Sequence, residues 1–212
     1  MPISGERGRL TIADYLYRVL EQPSVYRAVQ RALAPGAEAG FAVHLRRMVA
    51  RLPAAQRVLD VGCGPSSVLW AVGLRPIGLD LLTSYTASFA ANHEPAVTAS
   101  ASALPFPHDS MDAVWSIGLL HHLPDEVARR AIREMVRVTR PGGAVVLFDG
   151  VLPRTTWQRP HIWLQRRLDR GRHMRSGQAL KALLPEPDRW YCHRVSYSTI
   201  GHEGLFCSLT RL

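Results

Sequence analysis

Val58-Leu59-Asp60-Val61-Gly62-Cys63-Gly64-Pro65-Ser66-Ser67 is an apolar run, rich in β-formers, that enters a glycine turn and leaves into helix-like sequence. Glycine at 62 and 64 lets backbone approach a ligand closely, since a side chain at either position would occupy that space. A dinucleotide fingerprint would want a third glycine near position 67, and Ser67 stands there. Asp60 on the incoming strand gives a pyrophosphate no help, whereas it suits a ligand carrying a cationic ammonium. The turn taken alone could equally be a plain strand-to-helix link.

Working outward, the same rhythm repeats. Strand-like Arg57 to Val61, helix-like Ser66 to Val72, strand-like Ile77 to Asp80 and a helix from about Leu82 to Asn92 are followed by a short strand near Ala96 to Ser100 and a strand at Ala113 to Ile117. A helix from Asp125 to Thr139 leads through Pro141-Gly142-Gly143 to the run Ala144 to Phe148. This order implies parallel strands joined by crossover helices. Two last strand-like segments, Trp190 to Ser198 and Leu205 to Leu212, read as an antiparallel pair. On the amino-terminal side, helical spacing predicts two short helices between Thr11 and Leu33 and a third from about Phe41 to Leu52. The expected division is a helical lid over 1–53 and a core over 54–212, with 151–186 a basic helical insertion.

Asp80 ends the second strand twenty positions after Asp60, where a carboxylate can accept hydrogen bonds from both hydroxyls of a ribose. It could also be only a helix N-cap. In the same order along the chain follow Ser102-Ala103-Leu104-Pro105-Phe106 with Asp112 and Val114, and then Gly118-Leu119-Leu120-His121-His122-Leu123-Pro124-Asp125 leading to Arg133-Glu134 and Arg140-Pro141-Gly142-Gly143.

With these segments the chain resembles the class I (Rossmann-like) S-adenosylmethionine-dependent methyltransferases, in particular the small-molecule group that includes ubiquinone- and menaquinone-pathway enzymes. The resemblance spans about 58 to 151. It implies an α/β fold: a seven-stranded, mostly parallel sheet with helices on both faces and one antiparallel strand, plus amino-terminal lid helices. It also implies S-adenosylmethionine as cofactor, with S-adenosylhomocysteine as product. Asp60 would act near the methionine ammonium, through water or backbone, Gly62 and Gly64 would line the methionyl part, with Cys63 between them also a cofactor contact, and Asp80 would hold the ribose. Tyr85 falls where the family often has an apolar side chain over the adenine, Ala101 and Ser102 would border its edge, and Leu81, Ser116 and Gly118 would be further cofactor contacts. Ser100 stands where the family usually has an Asp reading the adenine amino group, and a serine hydroxyl is a shorter, uncharged acceptor.

Methyl transfer from a sulfonium is an in-line displacement that needs positioning and sometimes a base. His121 is the candidate base, because imidazole suits proton removal near neutral pH, although packing or capping also accounts for a His-His pair. Tyr26, His122 and His173 are candidate substrate contacts, with His202 and the tyrosines Tyr15 and Tyr17 weighed beside them. No Asn/Asp-Pro-Pro-aromatic run follows the fourth strand, where Ser116-Ile117-Gly118 stands instead, and no Pro-Cys nucleophile appears there, which argues against amino-methylation of nucleobases or glutamine and against cytosine carbon methylation. The strand ends offer no carboxylate cluster, so no catalytic metal is expected.

The formal charge is +9, Lys181 is the only lysine, and seven arginines fall between Arg154 and Arg175 among Trp157, Ile162, Trp163, Leu164 and Leu168. That stretch reads as an amphipathic helix with a cationic face. An anionic membrane surface, an acidic or lipid-like substrate, or RNA would fit it, as would a helix merely packed on the sheet; no DNA partner is expected. No apolar run approaches the roughly 18 to 20 residues of a membrane span, so a cytoplasmic protein is expected. Cys63, Cys192 and Cys207 lack paired spacing and read as free thiols. A partner-activating or non-catalytic cofactor-binding subunit is the rival function. The acceptor, the atom methylated and the oligomeric state are not legible in the sequence.

Overall fold

The computed structural model describes residues 35–50, 52, 54–154, 162, 163 and 173–212. Tyr15, Tyr17, Tyr26, the two helices expected before Leu33 and most of the arginine-rich run lie outside the described residues. The strands are β1 (Val58–Val61), β2 (Ile77–Asp80), β3 (Ala96–Thr98), β4 (Met111–Ile117), β5 (Thr139–Gly150), β6 (Tyr191–Ser196) and β7 (Glu203–Thr210). They form one sheet in the order β3-β2-β1-β4-β5-β7-β6. All neighbours are parallel except at β7, which runs against both β5 and β6. This is the expected seven-stranded α/β sheet with one antiparallel strand.

Helices α1 (Ala37–Val49), α2 (Thr83–Ala90), α3 (Asp125–Val138) and α4 (Gly177–Lys181) flank it. Alternation along β5 divides the core, since Val145 and Leu147 face one side and Val146 and Phe148 the other. On the first side α3 buries Ala128, Ala131, Ile132, Met135 and Val138 against Leu59, Val61 and Val114. On the second, Phe41, Leu45 and Met48 of α1 meet Trp115, Val146 and Phe206, with the rings of Phe41 and Phe148 4.6 Å apart. The part of the 1–53 segment that is described is thus a helix packed on the sheet.

Three details depart from the sequence expectation. The segment after the glycine turn makes only a short 3-10 helix, Val68–Val72, because the Ser67 side chain accepts the amide of Leu69 at its start and left-handed Gly73 ends it. Strand β5 begins at Thr139 rather than Ala144. Pro141-Gly142-Gly143 is absorbed as an irregularity, with the register shifting between Met111 and Ala113 on β4. The expectation of three free thiols is also corrected. The β6–β7 register sets Cys192 directly opposite Cys207, with Cα atoms 4.1 Å apart, and the two are joined as a disulfide. Only Cys63 is free among the cysteines, and it is buried.

Candidate functional site

The strand order changes direction between β1 and β4, and the carboxyl ends of these strands are where an open α/β sheet offers a ligand crevice. The turn leaving β1 carries Gly62 and Gly64 at φ 77° and 62°, in the left-handed region that disfavours a side chain. The amides of Gly62 and Cys63 both reach the Leu79 carbonyl, at 2.7 and 3.1 Å. Gly64 donates its amide to Asp80 Oδ2 at 3.0 Å, and Leu82 donates to Asp80 Oδ1 at 3.0 Å. Asp80 is therefore a backbone clamp at the end of β2, and each oxygen retains acceptor capacity beyond that one bond. A Cβ placed on Gly64 would meet nothing within 4 Å, so there is space beside the turn for a ligand.

Asp60 lies beneath the turn and is 3% exposed. Ser67 donates its hydroxyl to Asp60 Oδ2 at 2.6 Å while accepting from the Leu69 amide. Burial pushes the Asp60 carboxyl up to about 6, with the nearby Asp80 charge adding to the rise and the Ser67 hydrogen bond opposing it. A buried carboxylate held this way favours a cation over an anion. Together with the space at Gly64 and the carboxylate of Asp80, these residues fit a ligand with an ammonium at one end and a ribose at the other. Burial, with Asp60 and then Asp80 beside it, pushes the Cys63 thiol far above its ordinary range, so its place in the turn is that of an inert small side chain.

The adenine-side candidates occupy the next two loops. Leu81 is well exposed, while Tyr85 is half-buried in the first turn of α2. Ser100 accepts the Ser102 amide at 3.3 Å and its hydroxyl lies 3.0 Å from that of Ser102, so it closes the turn holding Ala101. The following Leu104 to Phe106 stretch is gripped from α3. Glu134 accepts the Leu104 amide at 2.9 Å, and Arg137, paired with Glu134, donates to the carbonyls of Leu104 and Phe106. The Arg137 hydrogen bonds hold the Glu134 carboxyl below its ordinary value.

Beyond β4, Ser116 is buried and its hydroxyl has no hydrogen-bond partner among the described residues. The loop from Gly118 to Leu123 folds over the glycine turn. A Cβ on Gly62 would sit 2.9 Å from the Leu119 side chain, and one on Gly118 would sit 3.8 Å from His121 Cε1. The two halves of the site thus meet through Leu119 and His121.

The partner of His121 is a residue the sequence reading missed. Asp149, near the end of β5, is 1% exposed. It accepts the His121 backbone amide on Oδ2 at 2.9 Å, and its Oδ1 lies 2.5 Å from His121 Nδ1. One carboxylate thus holds both the backbone and the ring of this histidine. A signal was present, because β1, β2 and β5 each carry a single Asp in an apolar run at or near the carboxyl end, namely Asp60, Asp80 and Asp149. His122 is exposed, with its ring 4.1 Å from that of His121. His173 donates its amide to the His121 carbonyl at 3.0 Å, so it joins the same cluster. His202 does not. It is buried at the β6–β7 turn, beside Ser198 and Tyr197, and by alternation with Phe206 it falls on the α1 face of the sheet.

Residues 59–147 match the family model described as a methyltransferase domain. Over 101 residues the chain is 38% identical to a tRNA (carboxymethyluridine(34)-5-O)-methyltransferase of Arabidopsis thaliana, covering 45% of this chain and 24% of that protein. Over 124 residues it is 34% identical to the 2-methyl-6-phytyl-1,4-hydroquinone methyltransferase of Synechocystis sp., covering 51% of this chain and 38% of that one. The chain therefore spans well under half the length of these curated relatives. A geranyl diphosphate C-methyltransferase from Streptomyces coelicolor, solved with S-adenosyl-L-homocysteine, has a similar fold, with a TM-score of 0.62 at 14% identity over 82% of this chain and 78% of that one. Over residues 59–147 the chain is thus similar to methyltransferase domains, carried on a Rossmann-like sheet.

Proposed function

We propose that this chain, which carries an S-adenosylmethionine-dependent methyltransferase domain over residues 59–147, methylates a small-molecule acceptor whose attacking atom is deprotonated by His121 with Asp149 behind it. The observation that carries this reading is the 2.5 Å contact between His121 Nδ1 and Asp149 Oδ1 on the loop that covers the glycine turn. A buried carboxylate accepting from Nδ1 selects the tautomer with its lone pair on Nε2 and steadies the imidazolium that forms when Nε2 takes a proton.

S-adenosylmethionine, when bound, supplies an electrophilic methyl carbon. Asp60, Gly62 and Gly64 would hold its methionyl end, Asp80 its ribose, and Tyr85, Ser100, Ala101 and Ser102 its adenine. His121 would take the proton of an acceptor hydroxyl and so leave that oxygen with the electron pair needed to attack the methyl donor. An acidic hydroxyl, as in a hydroquinone or phenol, asks least of such a base. The hydroquinone named for the Synechocystis relative favours that class.

The experiment is calorimetry with S-adenosylmethionine, followed by S-adenosylhomocysteine formation with methylhydroquinone, an aliphatic alcohol and a primary amine as acceptor probes. Binding is expected in the wild type and weakened by at least tenfold in Asp80→Ala. Turnover is expected to fall by roughly 10²- to 10⁴-fold in His121→Gln and Asp149→Asn with cofactor affinity kept. Absence of cofactor binding overturns the function, and undiminished turnover in His121→Gln overturns the base.

A further inference from the structure

The sequence places Arg175 among the arginines of a cationic helix face, but the structure buries it to 8% exposure. Its guanidinium spans the loop that carries His121. Nη1 donates to the Leu120 carbonyl at 2.6 Å, Nη2 donates to the Leu123 carbonyl at 2.6 Å, and Nε and Nη2 both donate to Asp125 Oδ1 at 2.9 and 2.7 Å. The planar fork of arginine can meet three acceptors on one loop in this way, which a lysine ammonium cannot reproduce.

The backbone of the same residue is fixed elsewhere. Arg175 bridges Val151 in parallel and accepts the Leu152 amide at 2.9 Å, immediately beyond the strand end that bears Asp149. Two residues earlier, His173 donates its amide to the His121 carbonyl. Residues 173–175 therefore join the two pieces of backbone that must stay in register for His121 and Asp149 to touch. The loop's other ties to β5 are the Gly118 amide on the Phe148 carbonyl and the two bonds from His121 to Asp149.

We propose that Arg175 is a positioning residue for methyl transfer, locking the Leu120–Asp125 loop to the end of β5 so that His121 stays seated on Asp149. This rests on the reading of His121 as the base, and the chemistry reaches Arg175 only through that histidine.

The test uses the full-length chain labelled with ¹⁵N in histidine, with variants Arg175→Met, Arg175→Lys and Asp125→Asn. In the wild type the ring proton on His121 Nδ1 should give a far-downfield signal, assigned by its loss in His121→Gln. Arg175→Met should broaden or abolish that signal and lower kcat with methylhydroquinone by about 10- to 100-fold, with the Kd for S-adenosylmethionine changed less than twofold. Arg175→Lys should recover little, and Asp125→Asn should show a smaller change in the same direction. In the His121→Gln background, Arg175→Met should cost less than twofold more, since both act through one group. An unchanged His121 signal in folded Arg175→Met overturns the proposal. If that variant fails to fold, an unchanged signal in Arg175→Lys or Asp125→Asn does so. A changed signal combined with full turnover by His121→Gln would leave the tie standing and remove the base, so the two failures are distinct.

Discussion

In its proposed place beside the methionine ammonium, Asp60 would couple cofactor recognition to pH. Its folded-state value is raised from 3.8 to about 6, chiefly by burial. Between those values the folded chain keeps a proton that the unfolded chain releases, so stability falls as pH rises through this window and the full penalty is present above about 6. For a group this buried the penalty is on the order of 2 to 3 kcal/mol. A cationic ligand near Asp60 offsets it by favouring the ionised form. Affinity for S-adenosylmethionine should therefore rise as pH goes from 5 to 7, with proton release on binding at the acid end, and Asp60→Asn should flatten both trends. Calorimetry in two buffers of different ionisation heat measures the released proton directly, and a pH-independent affinity in the wild type would detach Asp60 from cofactor binding. Asp60 and Asp80 are legible because each stands as the one carboxylate in a short apolar run that leads into a turn. The pairing of Asp149 with His121 is not legible in the sequence, since 28 residues separate them and only the β4–β5 register brings them together.

At the level of elements, α3 does more than cover the sheet. Its apolar positions 128, 131, 132, 135 and 138 follow helical spacing and made both the helix and its buried face readable. The opposite consequence, that Glu134 and Arg137 reach back to hold Leu104 and Phe106, depends on where the preceding loop passes, which no local pattern encodes. The short 3-10 helix after Ser67 and the bulged start of β5 were missed for a related reason. A side-chain cap and an irregular register override the propensity of the segment. Because the grip of α3 fixes the loop that follows Ser100 to Ser102, Arg137→Ala should leave two carbonyls without their donor and loosen the loop proposed to border adenine. The expected result is a 5- to 10-fold weaker Kd for S-adenosylmethionine, about 1 kcal/mol, with kcat at saturating cofactor within twofold. A drop in kcat at unchanged Kd would instead place the effect at the His121 loop.

For the whole molecule, the sheet order puts β5 near the centre and leaves β3 and β6 as edges, with β6 attached through β7 alone. The motif order from β1 to β5 made the parallel part legible from sequence. The carboxyl-terminal pair was legible as an antiparallel hairpin, but not the register that sets Cys192 against Cys207, because the disulfide follows from that pairing rather than from cysteine spacing. The bond closes a loop of 15 positions around the turn that joins the edge strand to the rest. By loop-closure entropy such a crosslink is worth up to roughly 3 kcal/mol, or about 6 to 12 °C in melting temperature for a chain of this size. Since the remaining thiol, Cys63, is buried with its ionisation strongly opposed, thiol counting separates the three cysteines cleanly. The native, unreduced protein should show no reactive thiol at pH 8, the denatured unreduced protein one, and the denatured reduced protein three. Mild reduction of the native protein should lower the melting temperature without changing S-adenosylmethionine affinity, because β6 lies at the far edge from β1 and β2. Three thiols in the unreduced denatured chain would show that Cys192 and Cys207 are unpaired, and the edge strand would then be held by its β7 pairing and packing alone.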